Sequence, residues 1–386
     1  AGATKDLKAV YDQMVDKMKD GAGVFTIVTY IASALGPVLE NVLEKVLEKK
    51  SGGVPDEKKP ATIIRVLVDG TNPLLEQGWA EPPRHKYQDK LLENNINVEV
   101  LVLSNAGSNE YSSNHAKYIV VYSDGQIWSW ISSSNISFSA IHGTNTEAGV
   151  LFDGYFLGLN KIEIEHANAW DHAVATDEQK EEASEGNIRV GVSGNLVGCH
   201  VMSVVNTQLG RSMSLAEMQN VITSSAGMTI PLPEERLGER HLDPLHVTER
   251  RLRAFLGSAK DEVLLSTDKL APEYVRQFLC GCTEEKVRIY ILRSESEGGE
   301  EEKKLELKLL TVLAEMRASG RTIIDIFQPQ RLGINHSKFL IVDRVSMLIG
   351  SANASMQAIF HQHWDIMVCV DDLNIIQKVV TFLLHT

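Results

Sequence analysis

Short apolar runs alternate with longer amphipathic stretches along most of the 386-residue chain. In the first half the pattern predicts strands at 24–31, 62–68 and 97–103 and intervening helices at 38–50 and 85–94. The second half repeats this order, with strands at 262–267, 286–292 and 322–328 and helices at 272–281 and 301–319. The strand runs are continuously apolar, as in strands buried on both faces. The alternation therefore predicts an α/β fold with mixed, mostly parallel sheets covered by helices.

A polar pattern follows the third strand of each repeat. The first copy is Asn114-His115-Ala116-Lys117, followed by Asn135 and Glu147; the second is Asn335-His336-Ser337-Lys338, followed by Asn353 and Asp365. In both copies the acid comes twelve residues after the asparagine. Each His-x-Lys is followed by an apolar run, so we expect both side chains on one side of a strand. A single His-x-Lys is usually structural, but the matched pair predicts one reaction centre built from two halves.

These residue types suit the cleavage of a phosphodiester. Fixed cations and amide donors stabilise the charge that spreads over the phosphoryl oxygens, a role that fits Lys117, Lys338, Asn135 and Asn353. One neutral imidazole can attack phosphorus and a second, protonated one can donate to the leaving alkoxide. A carboxylate can hold the other ring nitrogen of each imidazole and raise its pKa. Glu147 and Asp365 are the candidates for that role.

The second copy resembles the signature of the phospholipase D superfamily: His336-x-Lys338-x4-Asp343 with Gly350-Ser351-x-Asn353. The first copy departs from it. Tyr122 stands at the position of the motif aspartate, and the nearest acid, Asp124, comes two residues later. Ser133-Ser134 takes the place of the Gly-Ser pair. In the superfamily the motif aspartate is mainly structural, so the resemblance implies that Asp343 and Asp124 support the site.

The resemblance covers most of the chain and implies two similar αβα lobes related by pseudo-twofold symmetry. We expect an N-terminal lobe at 1–170, a connector at 171–245 and a C-terminal lobe at 246–386. Superfamily precedent makes His115 the nucleophile and His336 the acid, although the residues alone leave this open. It also implies a phosphohistidine intermediate and no metal or cofactor, so we expect activity in the presence of a chelator.

Composition limits the function further. The formal net charge of −13 gives no bulk attraction to nucleic acid or to an anionic membrane. The apolar stretch 24–39 is shorter than the roughly 20 residues of a spanning helix. No signal peptide is visible at Ala1, and sequons at Asn135, Asn335 and Asn353 lie inside the motifs, where a glycan would block the site. We therefore expect no transmembrane segment and favour a cytoplasmic location.

The substrate class divides the hypotheses. We favour a phospholipid, which would bring the chain into peripheral contact with a membrane, and expect hydrolysis or transphosphatidylation. Apolar residues near the expected cleft mouth support this choice: Leu74, Leu75, Trp79, Met356, Ile359 and Phe360. The same aromatic residues could instead stack on bases, as in a metal-independent nuclease for single-stranded nucleic acid. A third alternative is a phospholipase D-like binding protein that has lost catalysis.

Overall fold

The structure is a computed structural model that describes residues 7–51, 60–69, 87, 89–104, 113–154, 173–174, 188–194, 201–202, 244–294, 299–328, 333–359 and 363–385. Its longer helices are α1 (Leu7–Asp16), α2 (Leu35–Ser51), α4 (Pro244–Gly257), α6 (Glu300–Ala318) and α8 (Leu373–His385). Three short ones are α3 (Phe138–Ile141), α5 (Pro272–Tyr274), which continues as a π-helix over Val275–Cys280, and α7 (Met356–Ile359). A 3₁₀ turn covers Lys19–Gly21.

The strands are numbered in chain order. Those before the connector are β1 (Gly23–Thr29), β2 (Thr62–Asp69), β3 (Ile96–Ser104), β4 (Ser113–Asn114), β5 (Tyr118–Ser123), β6 (Gln126–Ser132), β7 (Asn145–Thr146) and β8 (Gly149–Asp153). Those in the connector are β9 (Ala173–Val174), β10 (Ile188–Gly194) and β11 (Val201–Met202). The remainder are β12 (Glu262–Ser266), β13 (Arg288–Ser294), β14 (Ile323–Gln328), β15 (Ile334–Asn335), β16 (Phe339–Val342), β17 (Ser346–Gly350), β18 (His363–Trp364) and β19 (Ile366–Val370).

Two large sheets repeat one strand order. The first is β8-β6-β5-β1-β2-β3-β10-β9, and the second is β11-β19-β17-β16-β12-β13-β14. In each lobe three consecutive strands are parallel, β1-β2-β3 and β12-β13-β14, and the hairpin strands beside them are antiparallel. The predicted mixed α/β fold is confirmed. The sheets are only partly parallel, because the segments after each His-x-Lys return as hairpins.

Three apolar cores hold these layers together. In the first lobe α2 buries Val38, Val42 and Val46 against the sheet, a spacing that puts all three on one helix face. An equivalent core lies under α4, the π-helix and α6 in the second lobe. A third core lies between the lobes and takes side chains from both sheets, among them Tyr118 and Phe339. Each fully buried side chain of this kind contributes about 1.5–3 kcal/mol, so the interlobe core fixes how the sheets face each other.

The connector takes part in both sheets. Its strand β10 pairs in parallel with β3 and also pairs with β9, while β11 pairs with β19 of the second sheet. The connector therefore contributes strands to both large sheets. The lobe boundaries at 170 and 245 and the pseudo-twofold relation stay predictions.

Two short parallel ladders bridge the lobes. Strand β4 of the first lobe pairs with β18 of the second, with Asn114 opposite Trp364. Strand β15 of the second lobe pairs with β7 of the first, with Asn335 opposite Thr146. The His-x-Lys tripeptides lie between these ladders and the hairpins, at 115–117 and 336–338, and are not within a strand. The expectation that they lie on a strand was wrong, since each strand breaks where the chain leaves one lobe's sheet for the other lobe.

Gly350 ends β17 where it passes close to the neighbouring backbone. A Cβ at this position would lie 1.9 Å from the carbonyl oxygen of Ile366, a distance that only movement of the strand could relieve. We expect Gly350→Ala to lower the free energy of unfolding by about 1–3 kcal/mol, measured by urea denaturation. Gly257→Ala is the matched control, because its Cβ would lie 3.5 Å from the nearest atom. Equal stabilities for the two variants would contradict this close contact.

Candidate active site

The two motif histidines are each held by an acid from the opposite lobe. Nδ1 of His115 lies 2.7 Å from Oδ1 of Asp365, and Nδ1 of His336 lies 2.9 Å from Oε2 of Glu147. All four side chains are buried or nearly so. The structure thus brings the predicted histidines and acids together, but it crosses them between the two halves of the chain.

The interlobe ladders explain this crossing. His115 directly follows β4 and Asp365 directly follows β18, so their parallel pairing places these two residues side by side. The ladder of β15 and β7 does the same for His336 and Glu147. A further backbone bond, from the amide of His336 to the carbonyl oxygen of Thr146 at 2.9 Å, extends this second ladder into the site. Backbone pairing therefore sets the position of each imidazole–carboxylate pair.

Each acid is also fixed by a serine of its own lobe. Ser133 Oγ donates to Glu147 Oε2 at 2.5 Å, and Ser351 Oγ donates to Asp365 Oδ1 at 2.7 Å. Both serines precede their acid by fourteen residues. The partner of Ser351 in the first copy is therefore Ser133, and the motif-based match of Ser134 to it is wrong by one residue. The equal Ser-to-acid spacing is a signal that the sequence carried.

The two lysines lie at the bottom of the site. Nζ of Lys117 donates to the carbonyl oxygen of His115 at 2.6 Å, and Nζ of Lys338 donates to that of His336 at 2.8 Å. Both side chains are buried. Burial and the charge of Lys338 lower the pKa of Lys117 to about 7. Burial also lowers the pKa of Lys338, against the attraction of Glu147. The influence of one lysine on the other indicates that they share one pocket.

Burial controls the histidines as well. Desolvation and the charge of Lys117 lower the pKa of His115 to about 3, even though Asp365 acts in the opposite direction. Desolvation and Lys338 likewise lower the pKa of His336. Burial would by itself raise the pKa of Glu147, but its pairing with His336 outweighs burial and lowers it. Each carboxylate raises the pKa of its histidine, as expected, but burial and the neighbouring lysine outweigh it, so the net pKa is lowered and the rings are neutral at pH 7 among the pocket's own residues.

The two predicted asparagines differ in how they are held. Asn135 is buried, and its Oδ1 accepts a hydrogen bond from the amide of Ile31 at 3.2 Å. Asn353 is half-buried, and within the described residues its Oδ1 has no hydrogen-bond partner. The oxygen of the first amide is engaged, whereas that of the second is buried without a partner among the described residues.

The two residues predicted to support the site, Asp343 and Asp124, take no part in the His–carboxylate pairs. The carboxylate of Asp343 accepts three backbone amides, from Lys260, Asp261 and Glu262, at 2.8–2.9 Å. Asp124 instead forms an exposed ion pair with Lys19, an interaction that contributes little.

Ser123 takes over the fastening role in the first lobe. Its Oγ accepts from the amide of Lys19 and donates to the carbonyl oxygen of Ala22, both at 2.8 Å. Ser123, one residue before Asp124, thus fastens the end of its strand by hydrogen bonds to the backbone, as Asp343 does in the other lobe. This explains how the first copy keeps its shape without the motif aspartate.

Two residues next to the site were not predicted. The ring of Tyr30 packs against the imidazole of His115, with centroids 5.0 Å apart, and Lys117 Nζ lies 5.6 Å from the same ring. Asp268 acts electrostatically on both lysines. Neither belongs to the repeated motif, so spacing gave no signal for them.

Some predicted features lie beyond the described residues or remain untested. Leu74, Leu75, Trp79 and Phe360 fall outside the described part of the chain. Met356 is half-buried and packs against the core of the second lobe. Nowhere in the described ranges do three His, Cys, Asp or Glu side chains come together in a way that would suit a metal ion. No helix among those described is both long and apolar enough to cross a bilayer.

Comparison with known proteins agrees with this arrangement. Residues 252–384 match the family model described as "Cardiolipin synthase, PLD-like domain". None of the curated proteins matches the sequence. The crystal structure of phosphatidylserine synthase from Haemophilus influenzae is similar over 97% of this chain and 83% of its own, with a TM-score of 0.57 and 10% identity. That likeness shows the fold.

Two smaller solved structures also match. NucT from Helicobacter pylori is 17% identical over 36% of this chain and 86% of its own, with a TM-score of 0.28. Nuc from Salmonella typhimurium, titled a phospholipase D family member, is 19% identical over 35% of this chain and 82% of its own, with a TM-score of 0.27. The predicted resemblance to the phospholipase D superfamily is confirmed by the match of residues 252–384 to the PLD-like family model.

The buried charge of Lys117 should destabilise the folded protein. Its pKa of about 7 lies well below the ordinary 10.5, so the folded state disfavours the charged form. We expect Lys117→Met to raise the free energy of unfolding at pH 6 by about 1–4 kcal/mol, measured by urea denaturation. This gain should shrink as pH rises above 7, since the wild-type lysine then loses its proton on folding. Lys286→Met is the control, because this lysine is mostly exposed. If Lys117→Met lost stability while Lys286→Met did not, the charge of Lys117 would not be destabilising.

Proposed function

We propose that this phospholipase D-like chain catalyses phosphodiester transfer at the pocket between its lobes. The observation that carries the proposal is the pair of crossed His–carboxylate contacts above two buried lysines. Each imidazole has Nδ1 held by an acid, which leaves Nε2 for chemistry and fixes the tautomer. Two such imidazoles and two cations are what a two-step displacement at phosphorus requires.

A bound substrate would add negative charge to a pocket rich in cationic groups. A phosphodiester anion between Lys117 and Lys338 would offset their mutual repulsion and that between the lysines and the histidines. The pKa of His336, which burial and Lys338 lower, would rise as the anion binds. Protonation of the general acid is thereby linked to the presence of substrate, and the lysines hold the phosphoryl oxygens during the transfer.

Local surroundings favour His115 as the nucleophile. Its pKa is lowered to about 3, so it is neutral and able to attack throughout the physiological range. Tyr30 packs on its ring and helps to keep it desolvated. At His336 the acid partner Glu147 remains ionised because its pKa is lowered, and this carboxylate favours the imidazolium that a general acid needs. These observations agree with the assignment expected from the superfamily.

The proposed reaction has two steps. His115 Nε2 attacks phosphorus, the P–O bond to the first alcohol breaks, and His336 transfers its proton to the departing oxygen. In the second step water gives a proton to His336 while its oxygen bonds to phosphorus, and the P–N bond to His115 breaks. A second alcohol in place of water would give the exchanged diester. No step needs a metal or an organic cofactor.

A phospholipid is the substrate that the comparisons favour. The matching family model is named for cardiolipin synthase, and the solved structure with the same fold over nearly the whole chain is a phosphatidylserine synthase. Both names refer to enzymes of phospholipid synthesis. The net charge of −13 also argues against bulk attraction to nucleic acid. Cleavage of single-stranded nucleic acid and loss of catalysis are the alternatives that the following experiment separates.

Substrate and site can be tested together. Purified protein in chelator is incubated with labelled phosphatidylcholine or phosphatidylglycerol vesicles, and separately with a labelled single-stranded oligonucleotide. We expect headgroup release or exchange from lipid, and we expect His115→Ala and His336→Ala each to lower the rate by at least about 10³-fold. Asp365→Asn and Glu147→Gln should each cost about 10–10⁴-fold, because they leave the corresponding imidazole without its orienting acid.

The outcomes are distinct. Cleavage of the oligonucleotide alone would replace the lipid assignment by a nuclease. Turnover that survives both histidine substitutions, or no turnover of either substrate, would contradict the proposed active site. His142→Ala serves as the matched control, since His142 lies outside the His–carboxylate pairs.

The pH dependence follows from Lys117. The free enzyme binds the anion through the protonated lysine, and this charge is lost as pH rises through about 7. We therefore expect kcat/KM to fall as pH rises, first as His336 loses its proton below its ordinary pKa of 6.5 and again at about pH 7 as Lys117 loses its charge, while the neutral His115, with its pKa of about 3, imposes no limit in the physiological range. Lys117→Arg keeps its charge, so its alkaline limb should move to higher pH even if its maximal rate is lower. An unmoved limb in this variant would contradict the assignment to Lys117.

A further inference from the structure

Helix α6 has apolar residues on two faces, and among the described residues one of these faces packs on the core. Leu309, Val312 and Leu313 are buried in the core of the second lobe. On the outer side, Leu307 is 67% exposed and Leu310 is 42% exposed. Large apolar side chains at this exposure on one helix face indicate a surface that contacts a partner.

The outer face has the spacing of a coiled-coil seam. The exposed residues that follow one another at steps of three and four along the helix are Glu300, Lys303, Leu307, Leu310, Ala314 and Arg317. At about 100° per residue these six positions lie within one narrow stripe. Alternating steps of three and four are the pattern by which two helices pack side by side.

This seam is complementary to itself when two copies run antiparallel. In the register that places Leu307 against Leu310 of the other copy, Lys303 faces Ala314 and Glu300 faces Arg317. The two leucines form the centre, the stem of Lys303 can cover Ala314, and opposite charges meet at both ends. Each contact occurs twice, as a two-fold interface requires. Arg317 Nε is bonded to the carbonyl oxygen of Ile323, which holds the side chain at this end of the helix.

The strand beside α6 adds to the same surface. In the first sheet β3 is covered by β10, whereas β14, at the corresponding place in the second sheet, forms the end of the described strand order. Its Ile326 and Phe327 are 45% and 42% exposed. Phe327 stacks on Arg293, which also binds Glu306 of α6. Neighbouring residues of a strand point to opposite faces, so of these two side chains only Phe327 lies on the α6 side, where Arg293 connects it to Glu306.

We propose that a second copy of this chain docks here, forming a two-fold dimer through antiparallel contact of the two α6 helices. The seam itself identifies the occupant, because its charges and leucines pair with their own reversed order. This interface is separate from the proposed active site, whose residues come from the two lobes of one chain.

Sedimentation equilibrium over the micromolar range tests the proposal with the full chain. Wild type should be a dimer. Leu310→Lys should raise the dimer Kd by at least about tenfold, because each of the two copies then brings a charge to the centre of the seam. Leu373→Lys, at a 59% exposed leucine on another helix, should leave the dimer unchanged. Circular dichroism melts confirm that each variant is folded.

A charge exchange tests the register. Arg317→Glu alone and Glu300→Arg alone should each raise the dimer Kd by about two- to tenfold, and the double variant should restore it. A monomeric wild type overturns the proposal, and so does a dimer that Leu310→Lys leaves intact. Failure of the double variant to recover overturns the antiparallel register and with it the proposed interface.

Discussion

The site depends on two ladders of two residue pairs each, which join the lobes. They place each histidine beside an acid that is about 190 or 250 residues away in sequence. A shift of one residue in either ladder would move the imidazole off its carboxylate, because neighbouring side chains in an extended chain point to opposite sides. The interlobe apolar core holds the sheets in the register that the ladders need. The geometry of the proposed active site is therefore a property of the lobe interface, since each His–acid pair takes one residue from each half of the chain.

The same interface makes the pocket electrostatically costly. Packing the lobes together removes Lys117 and Lys338 from water and lowers the pKa of both. The two acids offset only part of that cost, so the pocket by itself favours neutral imidazoles. An anionic ligand is the natural counter-ion for such a site. The arrangement that reduces stability is thus the one that would favour the phosphodiester of the proposed function, a trade common to active sites.

Much of the fold followed from the sequence, because continuous apolar runs identify buried strands whatever their partners are. The strands and helices of both repeats were predicted to within a few residues, as α6 and β12 illustrate. The eight motif residues were predicted as one site because duplication made their spacing visible, and the structure pairs the two histidines with the two acids. What the sequence could not reveal was pairing across the lobes. Spacing within a repeat says nothing about contact between repeats, so the crossing of His115 to Asp365 needed coordinates. The net lowering of the histidine pKa values was not predicted for a related reason, since burial is a tertiary property.

The duplication is also less symmetric in chemistry than in backbone. Thr29 and Thr267 make matching hydrogen bonds at the ends of β1 and β12, so the residues that follow them, Tyr30 and Asp268, occupy equivalent places. One gives an aromatic face to His115, and the other gives a negative charge to both lysines. Beneath His336 a buried network joins Ser266, Ser337 and Asn335, whereas Ala116, next to His115, belongs to the apolar interlobe core. The residues that flank the two imidazoles at equivalent positions of the repeat therefore differ, with Ala116 in an apolar core and Ser337 in a polar network. In the proposed two-step reaction such a difference separates the roles, because the nucleophile stays neutral while its partner exchanges a proton twice in each cycle.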